Sequence, residues 1–198
     1  MTKKLSKELR TNAIIESAVE EFLEKGYSQT SMEAIASRAG ISKGGLYHHF
    51  RNKDEILAYA TQYFSAPVVG MLSEMASEGN VADGLMKFIS SYIQYWDNHR
   101  VELKFFFLSM NKAFGDPHMN RLYQEYFREE LQLIEGVYSK GVRSGVFIPI
   151  DPKGYALSLI SAIDGSLAYL LLDEQLKATD LINTFSYQFV RSIVNENI

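Results

Sequence analysis

The sequence predicts an all-α protein in which a three-helix module carrying a helix-turn-helix, residues 1–64, is followed by a larger helical bundle, residues 65–198. Three observations lead there. Apolar residues recur at the three-and-four spacing of a helix face along most of the chain, and the one strand-like stretch, Val146 to Ile150, is short and contains Pro149. Helix ends are punctuated: Asp116-Pro117 and Asp151-Pro152 each place a capping Asp before a Pro at the first helical position, and Gly26, Gly40 and Gly145 stand just past helices. At 198 residues and 46% hydrophobic content, the chain is long enough to bury a sizeable core.

Taken in order, Lys7 to Lys25 reads as a helix with Ile14, Ala18 and Phe22 on one stripe, stopped by Gly26. Thr30 with Glu33 three residues on has the form of a capping box, so the next helix starts at Ser31 and buries Met32, Ile35, Ala36 and Ala39. Gly40-Ile41 is the turn. Ser42 caps the following helix, whose inner face is Leu46 and Phe50, and Asn52 with Glu55 forms another box before a long helix from Lys53 towards Met75. Pro67 is expected to kink or break that helix near Tyr63 to Ala66, because it removes one backbone hydrogen bond and clashes with the turn before it. Further helices are expected over 81–99, 100–112, 117–144, 152–173 and 179–196.

The outer face of the helix after Ser42 is unusual. Gly44 and Gly45 each cost up to about 1 kcal/mol against Ala in a helix interior, which close approach of backbone to a ligand would explain. Lys43 sits at a helix N-terminus, where the macrodipole disfavours a cation unless an external anion is present. The same placement recurs at Lys53. With Tyr47, His48 and His49 these residues offer donors and flat rings, the chemistry of phosphate and base-edge contact. Lys3, Lys4, Lys7 and Arg10 form a basic arm ahead of the module; it is solvated on the plain reading and reaches a phosphate on the functional one.

The run Thr30-Ser31, Ile35-Ala36, Ala39-Gly40-Ile41-Ser42-Lys43-Gly44, Leu46-Tyr47-His48-His49-Phe50 and Lys53, with Gly26-Tyr27 ahead of it, resembles the helix-turn-helix of TetR-family transcriptional regulators. The resemblance covers the first quarter to third of the chain; the remainder agrees in length, helicity and apolar character. It implies DNA contacts by Thr30, Ser31, Lys43, Gly44, Gly45, Tyr47, His48, His49 and Lys53. One departure is Gly45, where the family often carries Thr or another side chain able to contact DNA. The resemblance also implies that residues 65–198 form a ligand-binding and dimerisation domain, and that the Pro67 region acts as a hinge between the two modules.

Composition narrows the alternatives. The chain has no Cys, which excludes disulfides and thiolate metal sites. His48, His49, His99 and His118 lack a metal-ligand frame, and no phosphate-binding glycine loop or nucleophile elbow is present, so no metal, cofactor or enzymatic activity is expected. The N-terminus is polar rather than signal-like and no run of eighteen apolar residues occurs, which predicts a cytoplasmic protein without a membrane partner. The net charge of −4 divides unevenly: residues 1–64 hold nine Lys/Arg against eight Asp/Glu, net +1, and the acidic excess lies in the rest. Attraction to DNA therefore rests on local placement of charge.

The middle of the chain is rich in aromatics, most of which fill a core. Tyr and Trp carry polar tips that need partners, and Tyr92, Trp96, Phe107, Met110, Tyr126 and Asp164 are the candidates for an apolar effector pocket with a few polar points. The helix from Pro152 is apolar on more than one face, so Ile160, Ile163 and Leu167, with Phe185, Phe189 and Ile193 of the last helix, are candidates for a two-fold dimer interface. The expected function is a homodimeric repressor that binds a palindromic double-stranded DNA operator and is released by a small apolar or amphipathic molecule. Two alternatives stay open: a family member that activates or is co-repressed, and a helical ligand-binding or enzymatic protein without DNA binding.

Overall fold

A computed structural model describes residues 2–195, with side chains from residue 7 onward. Nine α-helices follow one another among the described residues: α1 (Thr2–Lys25), α2 (Met32–Arg38), α3 (Lys43–His49), α4 (Lys53–Ser77), α5 (Val81–Asn98), α6 (Arg100–Ala113), α7 (Pro117–Arg143), α8 (Pro152–Leu172) and α9 (Ala178–Phe189), then a 3-10 turn at Arg191–Ile193. The chain divides into two compact units, residues 1–65 with 104–122, and residues 66–103 with 123–198. Residues 104–122, expected in the second module, thus pack with the first.

In the first unit, the α1 stripe Ile14, Ala18 and Phe22 is buried together with Ile35, Ala36, Leu46 and Phe50. Each Ile, Leu or Phe among them contributes about 1.5–3 kcal/mol on burial. Phe105 of α6 stacks on Phe22 at 6.4 Å between centroids and meets Phe64 edge-on at 5.9 Å. A polar clamp fixes α2 to α1: Arg38 donates through Nε to Glu21 at 2.8 Å and through Nη1 to Glu20 at 2.8 Å and Glu24 at 3.0 Å. Lys25 and then Arg38 hold the Glu21 carboxyl below its usual range, which offsets the cost of burying it.

α4 runs through Pro67 to Ser77, so the proline does not end the helix. The boundary between the two units falls at 65/66, two residues before it. Thr61 and Ser65 return their hydroxyls to the carbonyls of Leu57 and Thr61 at 2.9 and 2.8 Å, which satisfies buried polar groups within the helix itself.

In the second unit, α5, α8 and α9 pack on one another. Tyr92, Trp96, Leu159, Ile163, Leu167 and Phe185 are buried there. α8 is long and apolar enough to cross a membrane by length and composition, and here its stripe from Ala156 to Leu170 lies in the core of this unit. Asp116 caps α7 through the backbone of His118 and Met119 at 2.9 and 3.1 Å, as its Pro predicts, whereas Asp151 precedes α8 without a side-chain capping bond. The last helix stops at Phe189 rather than continuing to Glu196, which lies outside the described residues. The chain turns so that Val194 pairs with Phe147 in an isolated antiparallel bridge, with Ile148 N–H bonded to the Ile193 carbonyl at 2.9 Å. Gly141 makes room for this return, since a Cβ there would stand 2.2 Å from the Phe147 ring.

Candidate nucleic-acid interface and interior polar cluster

The helix-turn-helix starts one residue later than the capping-box reading had it. Ser31, not Thr30, is the N-cap of α2, and its Oγ accepts from the Ala34 N–H at 3.1 Å. Thr30 is 3% exposed and gives its hydroxyl to the carbonyls of Glu21 and Gly26, both at 3.0 Å. Its side chain is therefore committed to joining α1 to α2 and is withdrawn from the DNA contacts. Glu33 pairs with Lys43 across the turn instead of closing a box.

At the end of α2, Gly40 adopts φ +65°, and Ile41 N–H bonds back to the Ala36 carbonyl at 3.0 Å, closing the helix with the left-handed residue that favours glycine. Ser42 then caps α3 by accepting from the Gly45 N–H at 3.0 Å. A Cβ at position 45 would stand 3.3 Å from that same Ser42 Oγ, whereas one at Gly44 would meet nothing within 4 Å. Gly45 thus leaves the cap uncrowded, and Gly44 leaves the outer surface bare.

With Leu46 and Phe50 buried beneath it, α3 presents Lys43, Gly44, Tyr47 and His48 to solvent. Lys43 Nζ lies 6.0 Å from the Tyr47 ring centroid, and the Glu33 carboxylate holds its pKa above the usual value, so it stays charged. Ser31, Lys7 and Arg10 are exposed as well. Lys7 and Arg10 act on His49, whose pKa is lowered first by burial and then by His48 and these two cations. His49 is half-buried, with its Nδ1 3.2 Å from the Thr11 hydroxyl, so its ring is partly engaged with α1 rather than fully open like that of His48. The side chains of Lys3 and Lys4 lie outside the described residues.

Lys53 also departs from expectation. Its ammonium bonds the carbonyls of Tyr27, Ser28 and Thr30 at 2.8, 3.3 and 3.0 Å and lies 4.6 Å from the Tyr27 ring centroid. All three of its donors are spent inside the unit, so it is a clamp on the α1–α2 connection. The Tyr27 hydroxyl donates to Asp54, and Lys112 of α6 lies 5.0 Å from the same ring and 3.9 Å from Asp54 Oδ1. The sequence reading missed Tyr27, Asp54 and Lys112 as a group because nothing in their spacing brings them together.

The effector candidates divide. Tyr92, Trp96, Tyr126 and Asp164 belong to the second unit, Phe107 and Met110 to the first. Tyr92 donates to Asp164 Oδ1 at 2.8 Å. Burial pushes the Asp164 carboxyl up to about 6, against the opposing pull of that hydrogen bond. Glu130, overlooked in the sequence, is 1% exposed, and burial followed by the nearby Asp164 pushes its carboxyl well up. The signal was there: Met119, Tyr123, Tyr126, Glu130, Ile134 and Val137 follow the three-and-four spacing of one α7 face, with a carboxylate in the middle of it.

The dimer candidates are interior residues. Ile160, Ile163, Leu167, Phe185 and Ile193 are buried in the chain's own second unit, and the half-buried Phe189 lies tilted against Phe185 at 6.0 Å between centroids while its carbonyl accepts from Tyr138. The apolar side chains left open on these helices are Leu157, Tyr169 and Leu172 of α8, with Ser161 and Gly165 between them, and Tyr187 of α9.

The family model for bacterial regulatory proteins of the tetR family matches residues 14–60, which covers α1 beyond its first turns, α2, α3 and the start of α4. YhgD of Bacillus subtilis, an uncharacterised HTH-type transcriptional regulator, is 25% identical over 152 residues, 73% of this chain and 75% of its own. The fatty acid metabolism regulator protein of the same species is 25% identical over 165 residues, 82% and 84% of the two chains. Among solved structures, a complex of SmeT with triclosan superposes with a TM-score of 0.83 at 20% identity, over 96% of this chain and 93% of that one. SmeT is the repressor of the Stenotrophomonas maltophilia multidrug efflux pump SmeDEF. The relatives are transcriptional regulators and not enzymes, and residues 14–60 of this chain carry the DNA-binding module of the bacterial tetR-family regulatory proteins.

Proposed function

We propose that the chain is a cytoplasmic repressor that binds a palindromic operator as a homodimer and leaves it when a small apolar or amphipathic molecule enters the second unit. The observation that carries the DNA contact is the outer face of α3. Lys43, Gly44, Tyr47 and His48 are exposed on a helix whose other face is held by Leu46 and Phe50, and Gly44 has no packing neighbour that would explain it. Lys43, Ser31, Lys7 and Arg10 hold phosphate, Tyr47 positions the helix, and His48 reads a base edge. Association through the open α8 and α9 side chains would present two such helices to successive major grooves.

Relief by a ligand is supported by the triclosan complex of SmeT, a repressor of the same fold, and by the aromatic interior around Tyr92 and Trp96. The proline in α4, next to the boundary between the compact units, is the hinge in this reading. Selection of DNA fragments by the purified protein from a random pool, followed by sequencing, tests it. A palindromic consensus is expected; a pool that returns no enriched sequence would sink the operator-binding reading.

A further inference from the structure

The second unit holds one buried and one half-buried carboxylic acid among aromatic rings, Glu130 and Asp164. Glu130 is 1% exposed and its Oε1 has no hydrogen-bond partner. One turn earlier on α7 the hydroxyl of Tyr126 is buried and equally unpartnered. Asp164 on α8 is bonded by Tyr92 of α5. The groups that shift the two carboxyls are Asp164, acting on Glu130, and Tyr92, acting on Asp164, and neither is Lys, Arg or His. Tyr126 in turn interacts with both acids, so the four side chains form one cluster.

Buried carboxyl groups are normally paired, because an unpaired one loses its hydration and gains nothing in return. A structural role accounts for the Tyr92–Asp164 bond. It does not account for Glu130 and Tyr126, whose free oxygens an apolar pair of similar shape would replace at no loss of stability. The surroundings say what would satisfy them. Trp96 lies against Tyr92 and Tyr95 at 6.4 and 5.0 Å between centroids, and Tyr126 against Phe127 at 5.6 Å. Ring faces attract cations, and a carboxylate binds an ammonium by a charge-assisted hydrogen bond. An anionic ligand would meet two acids.

We propose that the cluster of Tyr92, Tyr126, Glu130 and Asp164 recognises an aromatic or amphipathic effector that carries a protonated amine, with Glu130 as the acceptor of its ammonium and Tyr126 accepting a second N–H. This gives the chemical class of the effector proposed above and rests on that reading. Burial holds the Glu130 carboxyl towards its protonated form without ligand, so binding of the ammonium transfers that proton to solvent and leaves a carboxylate facing the cation.

One carbon skeleton in three charge states tests this: 4-phenylbutylammonium, 4-phenylbutanol and 4-phenylbutyrate, titrated into the full chain by calorimetry and by the fluorescence of Trp96, the sole tryptophan. The ammonium should bind at least about tenfold more tightly than the alcohol. It should also release a proton, seen as a heat that depends on the buffer, and the carboxylate should not saturate. Glu130→Gln keeps the shape and removes the charge, so it should erase the difference between ammonium and alcohol. An alcohol or carboxylate that binds wild type as well as the ammonium does, or an ammonium that does not bind, overturns the proposal. So does a folded Glu130→Gln that keeps the preference; should that variant not fold, the three ligands on wild type decide alone. DNA affinity measured in the same samples separates the two readings. An ammonium bound with this preference that leaves DNA affinity unmoved sinks the effector reading and keeps the site. Release of DNA by uncharged compounds whose potency ignores Glu130→Gln does the reverse.

Discussion

Lys53 donates to the Tyr27 carbonyl at 2.8 Å while its ammonium rests 4.6 Å from the Tyr27 ring centroid, so one residue both caps and covers the connection between α1 and α2. Removing the ammonium leaves the Tyr27 and Thr30 carbonyls without it. Lys53→Ala is expected to lower unfolding free energy in urea by about 1–3 kcal/mol. The slope of DNA affinity against salt concentration should stay unchanged for this variant, and a fall in slope would return Lys53 to the phosphate contacts.

Lys43 and Tyr47 should behave in the opposite way. Both are exposed, so Lys43→Ala and Tyr47→Ala are expected to leave the unfolding midpoint where it is and to weaken binding to every DNA sequence. Lys43→Ala should reduce the salt slope by about 1. His48→Ala should alter which base is preferred at one operator position, at about 1–3 kcal/mol of discrimination. Competition binding over a set of single-base operator variants distinguishes these outcomes, and unaltered binding by Lys43→Ala with Tyr47→Ala would remove α3 from the interface.

The buried acids make stability fall as pH rises. Asp164 is pushed up to about 6 in the folded chain from an ordinary 3.8, so across that window the folded state holds the proton that the unfolded state has lost. Stability is full below the lower value and declines until the folded carboxyl has ionised, by roughly 3 kcal/mol at about 1.4 kcal/mol per unit. Asp164→Asn should flatten this decline, and Glu130→Gln should do the same. Urea unfolding at pH 4, 5, 6 and 7.5, wild type against each variant, is the measurement; a parallel pH profile in Asp164→Asn would count against it.

The dimer prediction shows where the sequence stops being informative. Periodicity shows α8 apolar on more than one face, and Ile160, Ile163 and Leu167 belong to one of its two stripes. The fold buries that stripe against its own α5 and α9 and leaves Leu157, Tyr169 and Leu172 outside. A pattern gives the number of apolar faces and not which neighbour covers each. The same limit explains Lys53, whose partners are more than twenty residues away, and the last helix, where Val190 to Val194 look helical in composition but form a 3-10 turn that brings Val194 to Phe147. What the sequence could settle is local: the Ser42 cap, the Gly40 turn, Leu46 beneath α3 and the Asp116-Pro117 start all lie within a few residues of their partners. Leu157→Glu with Tyr169→Glu is therefore expected to yield folded monomers in sedimentation velocity, while Ile163→Glu should unfold the chain. A folded dimer from the first pair would place the interface elsewhere.

Lys112 offers the route by which a ligand could reach the DNA-binding helices. It belongs to the stretch 104–122 that packs with the helix-turn-helix unit, and there it lies against Tyr27, Asp54 and Asp116, the last at 3.2 Å. Tyr27 in turn carries the Lys53 clamp, and Lys53 begins α4 just after α3 ends. Any effector that moves residues 104–122 must break or drag this contact. An effector that weakens DNA binding a hundredfold has to favour the released arrangement by about 2.7 kcal/mol. Lys112→Met preserves most of the side-chain volume and removes the charge that holds Tyr27 and Asp54. DNA affinity without effector should change little, because α2, α3 and the clamp at Lys53 remain. The fold-change caused by effector should shrink by about tenfold, equivalent to about 1.4 kcal/mol of coupling lost. A double-mutant cycle with Tyr27→Phe, scored on the effector-induced change in DNA affinity, tests whether the two residues act through one contact. Additive losses would mean that they act separately and that coupling passes by another path.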